Sequence, residues 1–159
     1  PLFGGAMKFL QTVNGAENTT LLFSNLASIA GCYAVTALDS VKNESQFSDT
    51  VCVDNCPVYE LPNVFSPDGN QINDYFIPFP YKYVDKIDIK IFDRWGQLIF
   101  ETTDPDIKWN GKYQPNDRDV SESVYYYVCY VDMIRLTGIE TKVLTGFVHL
   151  LRGKVQDNK

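Results

Sequence analysis

The fold class can be inferred from residues 87–100, which read Ile87-Asp88-Ile89-Lys90-Ile91-Phe92-Asp93-Arg94-Trp95-Gly96-Gln97-Leu98-Ile99-Phe100. The three isoleucines fall on one side of an extended chain, and the two charged residues between them fall on the other. This alternation is typical of an antiparallel strand with one solvated face. Apolar residues return after residues 94–97, where Gly96 can adopt a positive φ angle. The stretch therefore predicts two strands joined by a tight hairpin.

Two more strands are predicted downstream of this hairpin. Residues 124–131 carry four tyrosines without a polar break, so we expect a central strand with both faces covered. Residues 143–151 form a last apolar run, which stops at Arg152. No stretch has convincing helical periodicity. The whole chain is therefore predicted to be all-β.

Composition narrows the possible functions. Aromatic residues make up 14% and charged residues 21% of the 159 residues, which is too apolar for a disordered chain. The formal net charge is -6 and the basic residues are scattered, so we predict no nucleic-acid partner. No run approaches the roughly 18–20 apolar residues that span a bilayer, and we predict no direct membrane insertion. No segment is built like a secretory signal and the chain begins with Pro1, so we expect an internal or C-terminal piece of a longer protein.

The chain divides at a short segment bounded by prolines. Pro57 and Pro62 bracket residues that do not suit a central strand, and we predict a linker at residues 57–62. Four apolar runs precede it, at residues 6–13, 19–26, 31–39 and 47–54. The run at 31–40 resembles the penultimate strand of a fibronectin type III or immunoglobulin-like domain. So short a segment cannot supply the seven strands of such a domain, and residues 1–56 are therefore predicted to be its C-terminal part, a partial β-sandwich.

The four cysteines allow three fully paired connectivities. If the last two apolar runs form a hairpin around the polar turn at 40–45, Cys32 falls near Cys56. We therefore predict a Cys32–Cys56 disulfide. Cys52 could instead close the short loop to Cys56. Cys129 lies inside the tyrosine-rich strand and is predicted to be a buried free thiol.

A second stretch carries most of the functional information. Residues 63–76 read Asn63-Val64-Phe65-Ser66-Pro67-Asp68-Gly69-Asn70-Gln71-Ile72-Asn73-Asp74-Tyr75-Phe76. Further motifs follow in order: the hairpin at 89–100, the Trp109-x-Gly111 turn, the tyrosine strand at 124–127, and Gly146 with the closing residues 150–152. Together they resemble the gliding-motility-associated C-terminal domain, the type B sorting domain of Bacteroidota type IX secretion. The resemblance covers residues 61–152.

The resemblance implies a fold as well as a function. We expect an immunoglobulin-like antiparallel β-sandwich of about seven strands at residues 63–152. The polar residues 153–159 are predicted to be a flexible tail. The sequence departs from the family pattern at Asp68, Asn70 and Gln71, where the family has Asn, Asp and Gly. Ser121 and Ser123 stand where it has Pro and Gly.

The function that the resemblance implies is that of a secretion signal. Such domains end exported surface proteins and are read by the type IX machinery. The implied partners are an outer-membrane β-barrel shuttle protein, the type IX translocon and an accessory outer-membrane barrel protein. The attached protein would pass through the periplasm and outer membrane to the cell surface or extracellular space. We predict a sorting signal without catalytic activity or cofactor.

Three parts of the domain are candidates for contact with this machinery. They are the loop at 63–76, the hairpin tip at 94–96 and the final strand, whose edge could bind by β-augmentation. The predicted recognition residues are Asn63, Phe65, Pro67, Asp68, Gly69, Asn73, Asp74, Phe76, Arg94, Trp95, Gly96, Gly146, Leu150 and Arg152. Each of these features also has a purely structural interpretation. Turn formation explains the loop, Trp95 could fold back over its own sheet, and residues 125–127 fit core packing.

Metal binding has little support in the sequence. Four loop residues offer oxygen donors to Ca²⁺, although their spacing is not that of an EF-hand: Asp68, Asn70, Asn73 and Asp74. A zinc site would need paired C-x-x-C spacings, and the single histidine, His149, is remote from the cysteines. We predict neither metal.

Two other classes of function compete with the sorting signal. Catalysis would need a base such as His149, or a carboxylate pair such as Asp104 and Asp106, which could serve glycoside hydrolysis. A solvated turn between strands explains that pair better. A surface adhesin or glycan-binding β-sandwich is the alternative, and it would expose aromatic residues on the first module. The candidates are Phe23, Tyr33 and Phe47.

Overall fold

The computed structural model describes residues 6–15, 17–22 and 28–152. Every regular element among these residues is a β-strand, which confirms the predicted all-β fold. They accordingly contain no helix with the length and apolar character needed to cross a bilayer. The predicted tail at 153–159, part of the predicted strand at 19–26 and the adhesin candidate Phe23 lie outside the described residues.

Nine strands form three sheets within the described residues. The strands are β1 (Gly31–Tyr33), β2 (Val51–Val53), β3 (Val64–Phe65), β4 (Val84–Phe92), β5 (Leu98–Thr102), β6 (Lys112–Tyr113), β7 (Arg118–Asp119), β8 (Ser123–Arg135) and β9 (Gly138–Leu150). β1 pairs with β2 and β6 with β7, while the other five strands form the main sheet in the order β3-β9-β8-β4-β5. β3 runs parallel to β9, whereas β4 is antiparallel to β5 and β8.

The chain forms two compact units. The first comprises residues 1–55 and 135–138, and the second comprises residues 56–134 and 139–159. β1 and β2 belong to the first unit, whereas nearly all of the main sheet belongs to the second.

The disulfide of the first unit joins Cys32 to Cys52, so the predicted Cys32–Cys56 pairing is wrong. Cys32 and Cys52 lie directly opposite each other in the β1–β2 ladder. The predicted register fails because the connecting turn is tighter than expected. The Asp39 carboxylate accepts a hydrogen bond from the Asn43 backbone N–H at 2.8 Å, which closes the turn early and shifts the pairing by several residues. Cys56 is therefore a free, exposed thiol.

Regular structure is sparse elsewhere in the first unit. In the described part of this unit, the predicted runs at 31–39 and 47–54 supply only β1 and β2, and the run at 6–13 supplies no strand. Apolar side chains beside these strands are exposed: Val35, Leu38, Val41, Phe47 and Val51. The unit thus buries little apolar surface for a β-sandwich.

One face of the main sheet forms the hydrophobic core of the second unit. Ile87, Ile89 and Ile91 of β4 are at most 1% exposed, as their alternation predicts. Trp109 lies in a loop and is fully buried, with its ring 5.1 Å from that of Phe65 and 5.3 Å from that of Tyr125. Further buried loop residues join this core, namely Tyr59, Phe76 and Ile107. Loops and short strands, rather than a second long sheet, therefore cover much of this face.

The predicted linker at residues 57–62 is part of the second unit's core. Tyr59 is 3% exposed, and its hydroxyl donates a hydrogen bond to the Pro105 carbonyl. Val58 forms an antiparallel bridge with Lys82. The flanking prolines suggested a spacer, but the aromatic residue between them provides enough apolar surface to hold the segment in place.

β8 is a central strand, as predicted, but only one of its faces is covered. Tyr125 and Cys129 point into the core, whereas Tyr126 is 52% and Tyr130 49% exposed. The expectation of two covered faces is therefore wrong. Residues of β8 alternate between the core and solvent. The sequence does not show this alternation, because the phenol hydroxyl allows tyrosine to occupy both the buried and the solvated face.

Cys129 has the predicted character of a buried free thiol. Burial raises its pKa from 9.0 to about 12, because the thiolate is poorly solvated in the core. The core therefore favours the protonated thiol, and this stabilisation is complete below pH 9.0 and is lost as the pH rises towards 12. We expect Ellman's reagent at about pH 8 to label Cys56 alone in the folded chain and both thiols after denaturation. Rapid labelling of two thiols in the folded chain would contradict this assignment.

Candidate recognition surface

Most of the motif residues gather at one end of the main sheet. β8 is antiparallel to β4 and turns back into β9 at residues 136–137, and β3 is parallel to β9. β3, β4 and β9 therefore all end where β8 begins. The loop at 66–74, the hairpin tip at 93–97 and residues 151–152 follow these strand ends, and we call this region the motif end.

The hairpin tip is held by hydrogen bonds to Asp93, and it presents a tryptophan to solvent. The Asp93 carboxylate accepts hydrogen bonds from the backbone N–H groups of Trp95 at 2.8 Å and Gln97 at 2.9 Å. Gly96 has a φ angle of 80°, as the predicted tight hairpin requires. Trp95 is 84% exposed, so the interpretation that it covers its own sheet is wrong. Arg94 extends along β8, where it donates to the Ser123 hydroxyl at 3.4 Å.

The loop at 66–74 is held by its own side chains. The Asp74 carboxylate accepts hydrogen bonds from the N–H groups of Gly69 and Gln71, each at 2.7 Å. Asp68 accepts one from the Asn70 N–H at 3.1 Å. These bonds account for the turn-forming residues. Among the described residues no group of three or more His, Cys, Asp or Glu side chains is placed to hold a metal.

The Arg152 side chain bonds to other residues of the same domain. Its guanidinium donates to the carbonyl of Gly111 at 2.9 Å and to that of Val120 at 3.2 Å, and it forms an ion pair with Asp119 at 3.2 Å. Its backbone N–H donates to the Glu122 carboxylate. Arg152 therefore fastens the end of β9 to neighbouring loops, which sequence reasoning did not reveal.

Several predicted recognition residues belong to the core. Phe65, Phe76 and Leu150 are at most 2% exposed, so they cannot contact a partner of the folded domain. Gly146 packs against the Tyr127 ring, where a β-carbon would come within 2.5 Å of the hydroxyl oxygen. The predicted residues that are exposed are Asn63, Asp68, Gly69, Asn73, Arg94, Trp95 and Gly96.

The final strand does not present an edge at its C-terminal end, contrary to the prediction for residues 143–151. β3 pairs with His149 and Leu150, and the His149 N–H donates to the Asn63 carbonyl at 2.8 Å. Burial of the Phe65 side chain holds this segment beside β9. β9 also begins earlier than expected, at Gly138.

A shallow groove completes the motif end. It is lined in part by Arg94, Glu122, Tyr126, His149 and Leu151. A cation, an anion and aromatic rings side by side suit a protein partner, because protein interfaces are rich in aromatic residues and arginine. Apart from Arg94, these residues were not predicted as contacts. The alternation along β9 could have revealed His149, since its neighbours on either side are buried.

Comparison with known families agrees with these motifs. The model of the CHU_C type IX secretion signal domain matches residues 59–150, which is more than half of the chain. The chain therefore belongs to this family. Its role is that of a sorting signal, which implies interaction with the type IX machinery and export to the cell surface or extracellular space. The family is not an enzymatic one. The chain matches no curated protein.

Proposed function

We propose that this type IX secretion signal domain is of type B, the gliding-motility-associated class, and that its motif end is the recognised surface. An outer-membrane β-barrel shuttle protein binds this end, assisted by an accessory barrel protein, and the translocon delivers the attached protein across the outer membrane. The order of the motifs along the sequence supports the class. The clustering of their exposed residues beside one groove supports the surface, and this is the observation that carries the proposal.

Trp95 and Arg94 are the principal contacts in this proposal. Tryptophan and arginine dominate the energetics of protein interfaces, because each offers a large surface that becomes fully desolvated in a partner's pocket. An exposed tryptophan on a tip held by Asp93 is already in position, so little conformational entropy is lost on binding. The groove beside it supplies charges of both signs through Arg94 and Glu122.

The sorted part of the chain is the second unit, which contains the predicted sorting domain at residues 63–152. Residues 1–56 are the C-terminal part of a fibronectin type III or immunoglobulin-like domain of the attached protein. The antiparallel β1–β2 pair fits a β-rich domain, and its Cys32–Cys52 disulfide fits an exported protein, because disulfides persist in oxidising compartments.

The proposal is tested by fusing residues 1–159 to a periplasmic fluorescent reporter in cells with and without an intact type IX translocon. We expect the reporter outside the cell only in the competent strain. Retention in both strains, with the fusion folded and the accessory barrel protein present, would contradict the sorting role. Adhesion through exposed aromatic residues such as Phe47 would then become the leading hypothesis.

The recognised surface is tested separately with the variants Trp95→Ala and Arg94→Ala. Each is expected to reduce the exported reporter roughly tenfold while leaving the domain folded, as removal of an interface hot spot does. Phe47→Ala is the matched control, since it removes an exposed aromatic residue from the first unit. Normal export of both tip variants would refute the motif end as the contact surface, while the sorting role itself would stand.

A further inference from the structure

One wall of the groove at the motif end comes from the segment that leads into β8. This segment comprises residues 119–122, and we call it the β8 entry. It lies between the short strand β7, which ends at Asp119, and β8, which begins at Ser123. Residues 120–122 lie outside the strands, so no β-ladder holds their backbone. Glu122 is exposed and lines the groove.

The residue types of the β8 entry do not fix its conformation either. Ser121 and Ser123 stand where the family pattern has proline and glycine. A proline at position 121 would lock one backbone torsion, which serine does not. Contacts with other residues therefore hold the β8 entry in place. One of them comes from the Tyr125 hydroxyl, which donates to the Ser121 carbonyl at 2.7 Å.

Arg152 makes three contacts with the β8 entry. Its guanidinium forms an ion pair with Asp119 at 3.2 Å, and its Nε donates to the Val120 carbonyl at 3.2 Å. Its backbone N–H donates to the Glu122 carboxylate. One residue at the end of β9 thus bonds to Asp119, Val120 and Glu122, which are most of the β8 entry.

Arg152 is itself held from several sides. The preceding residue, Leu151, donates its N–H to the Phe65 carbonyl of β3 at 3.1 Å, and Leu150 is fully buried. The Arg152 guanidinium also donates to the Gly111 carbonyl at 2.9 Å. A guanidinium that donates to two carbonyls and pairs with a carboxylate has little rotational freedom, because its donors lie in one plane. Arg152 is therefore a fixed point to which the β8 entry is attached.

This attachment prepares the Glu122 carboxylate for a partner. An exposed glutamate ordinarily samples several rotamers, and ordering it on binding costs free energy. Here the Arg152 N–H holds one carboxylate oxygen of Glu122, while the other oxygen keeps its lone pairs for a further donor. Within residues 28–152, no lysine or arginine forms an ion pair with Glu122. The negative charge in the groove is therefore available to a basic group.

We propose that Arg152 positions the recognition groove, by fastening the β8 entry so that the Glu122 carboxylate meets a basic group of the partner. This inference rests on the proposed function and adds the chemistry of one contact to it. A lysine or arginine of the partner suits Glu122, because charged N–H donors form the strongest hydrogen bonds to a carboxylate. Arg152 is a positioning residue in this arrangement, and it acts on the partner through Glu122.

Two variants and their combination test the proposal in the export assay. Arg152→Ala removes the guanidinium but keeps the backbone N–H, and Glu122→Gln removes the charge but keeps an acceptor for that N–H. Each single variant is expected to lower the exported reporter roughly fivefold. The double variant is also expected to lower it about fivefold rather than about 25-fold, because both changes remove the same contact. Glu122→Gln is expected to leave the urea midpoint of the purified chain unchanged in both backgrounds.

Two controls separate positioning from a general loss of stability. Tyr59→Phe removes the hydrogen bond to Pro105, away from the motif end, and is expected to lower the urea midpoint without lowering export. Trp95→Ala lies on the independently held hairpin tip, so its tenfold loss is expected to multiply with that of Arg152→Ala to about 50-fold. Arg152→Lys keeps the charge but not the planar fork, and it replaces Arg152→Ala if that variant does not fold.

When the native chain is exported, any of three results overturns the inference. They are normal export of the folded Arg152 variants, normal export of Glu122→Gln, or a double variant whose loss is the product of the single losses. An equal loss of export in Tyr59→Phe and Arg152→Ala would likewise overturn it, because Arg152 would then act through stability alone. Failure of the native chain to be exported would instead overturn the proposed function, and this inference with it.

Discussion

Replacement of Trp109 by alanine is expected to lower the free energy of unfolding of the second unit by about 3–5 kcal/mol. Trp109 has no exposed surface, and its ring packs against those of Phe65 and Tyr125. Its indole N–H donates to the Lys112 carbonyl at 2.8 Å. The substitution leaves a cavity at the centre of the core and removes this hydrogen bond.

Trp95→Ala is the matched control, because the two tryptophans of the chain lie in opposite environments. At 84% exposure Trp95 contributes little to the core, and its loss is expected to change stability by less than about 0.5 kcal/mol. Urea denaturation followed by far-UV circular dichroism measures both variants. Equal losses of stability for the two would refute the assignment of one tryptophan to packing and the other to recognition.

Gly111→Ala is expected to destabilise the second unit by about 2–4 kcal/mol, from backbone strain and overpacking together. Gly111 has a φ angle of 74°, which favours glycine. A β-carbon there would also lie 2.8 Å from both the Leu150 side chain and the Pro67 ring. The proline ring is rigid, so the clash cannot be relieved by a change of rotamer.

Gly69→Ala separates the two contributions. Gly69 has a similar φ angle of 81°, but a β-carbon there would meet nothing within 4 Å. We expect a loss of about 1 kcal/mol at Gly69, from strain alone. The difference between the two variants in chemical denaturation measures the crowding at Gly111. A Gly111 variant no less stable than the Gly69 variant would show that this contact can relax.

Gly111 lies where several of the sequence motifs meet in the folded domain. It contacts Pro67 of the opening loop and Leu150 of the last strand, and its carbonyl accepts the Arg152 guanidinium. Three motifs far apart in sequence therefore meet in one packed cluster. The residues that form this cluster are constrained by packing, which leaves the exposed residues of the hairpin tip and loop for recognition.

Local patterns explain the predictions that succeeded. The alternation through Ile89 and the hairpin at Gly96 depend on the chain's neighbouring residues, so they could be read without knowledge of the fold. The disulfide could not be read in this way, because the partner of Cys32 depends on the register set by the Asp39 turn. One hydrogen-bonded turn decides that register.

The residue type alone does not show whether a side chain packs in the core or is exposed to a partner. Trp95 and Trp109 are the same residue type, and only their surroundings make one a solvent-exposed tip and the other the centre of the core. Arg152 likewise links the end of β9 to Gly111 and Val120, because the fold brings these distant segments together. Side chains at such junctions are assigned by contacts between distant segments, which periodicity does not encode.

The sequence by itself determined the strand pattern, the hairpin and the motif order that identifies the family, because all three are local or linear properties of the chain. The tertiary structure decided the disulfide pairing, the place of Tyr59 in the core and the role of Arg152. These depend on which segments become neighbours when the apolar face of the main sheet is buried. The burial of Phe65 illustrates this, since it draws β3 against the end of β9.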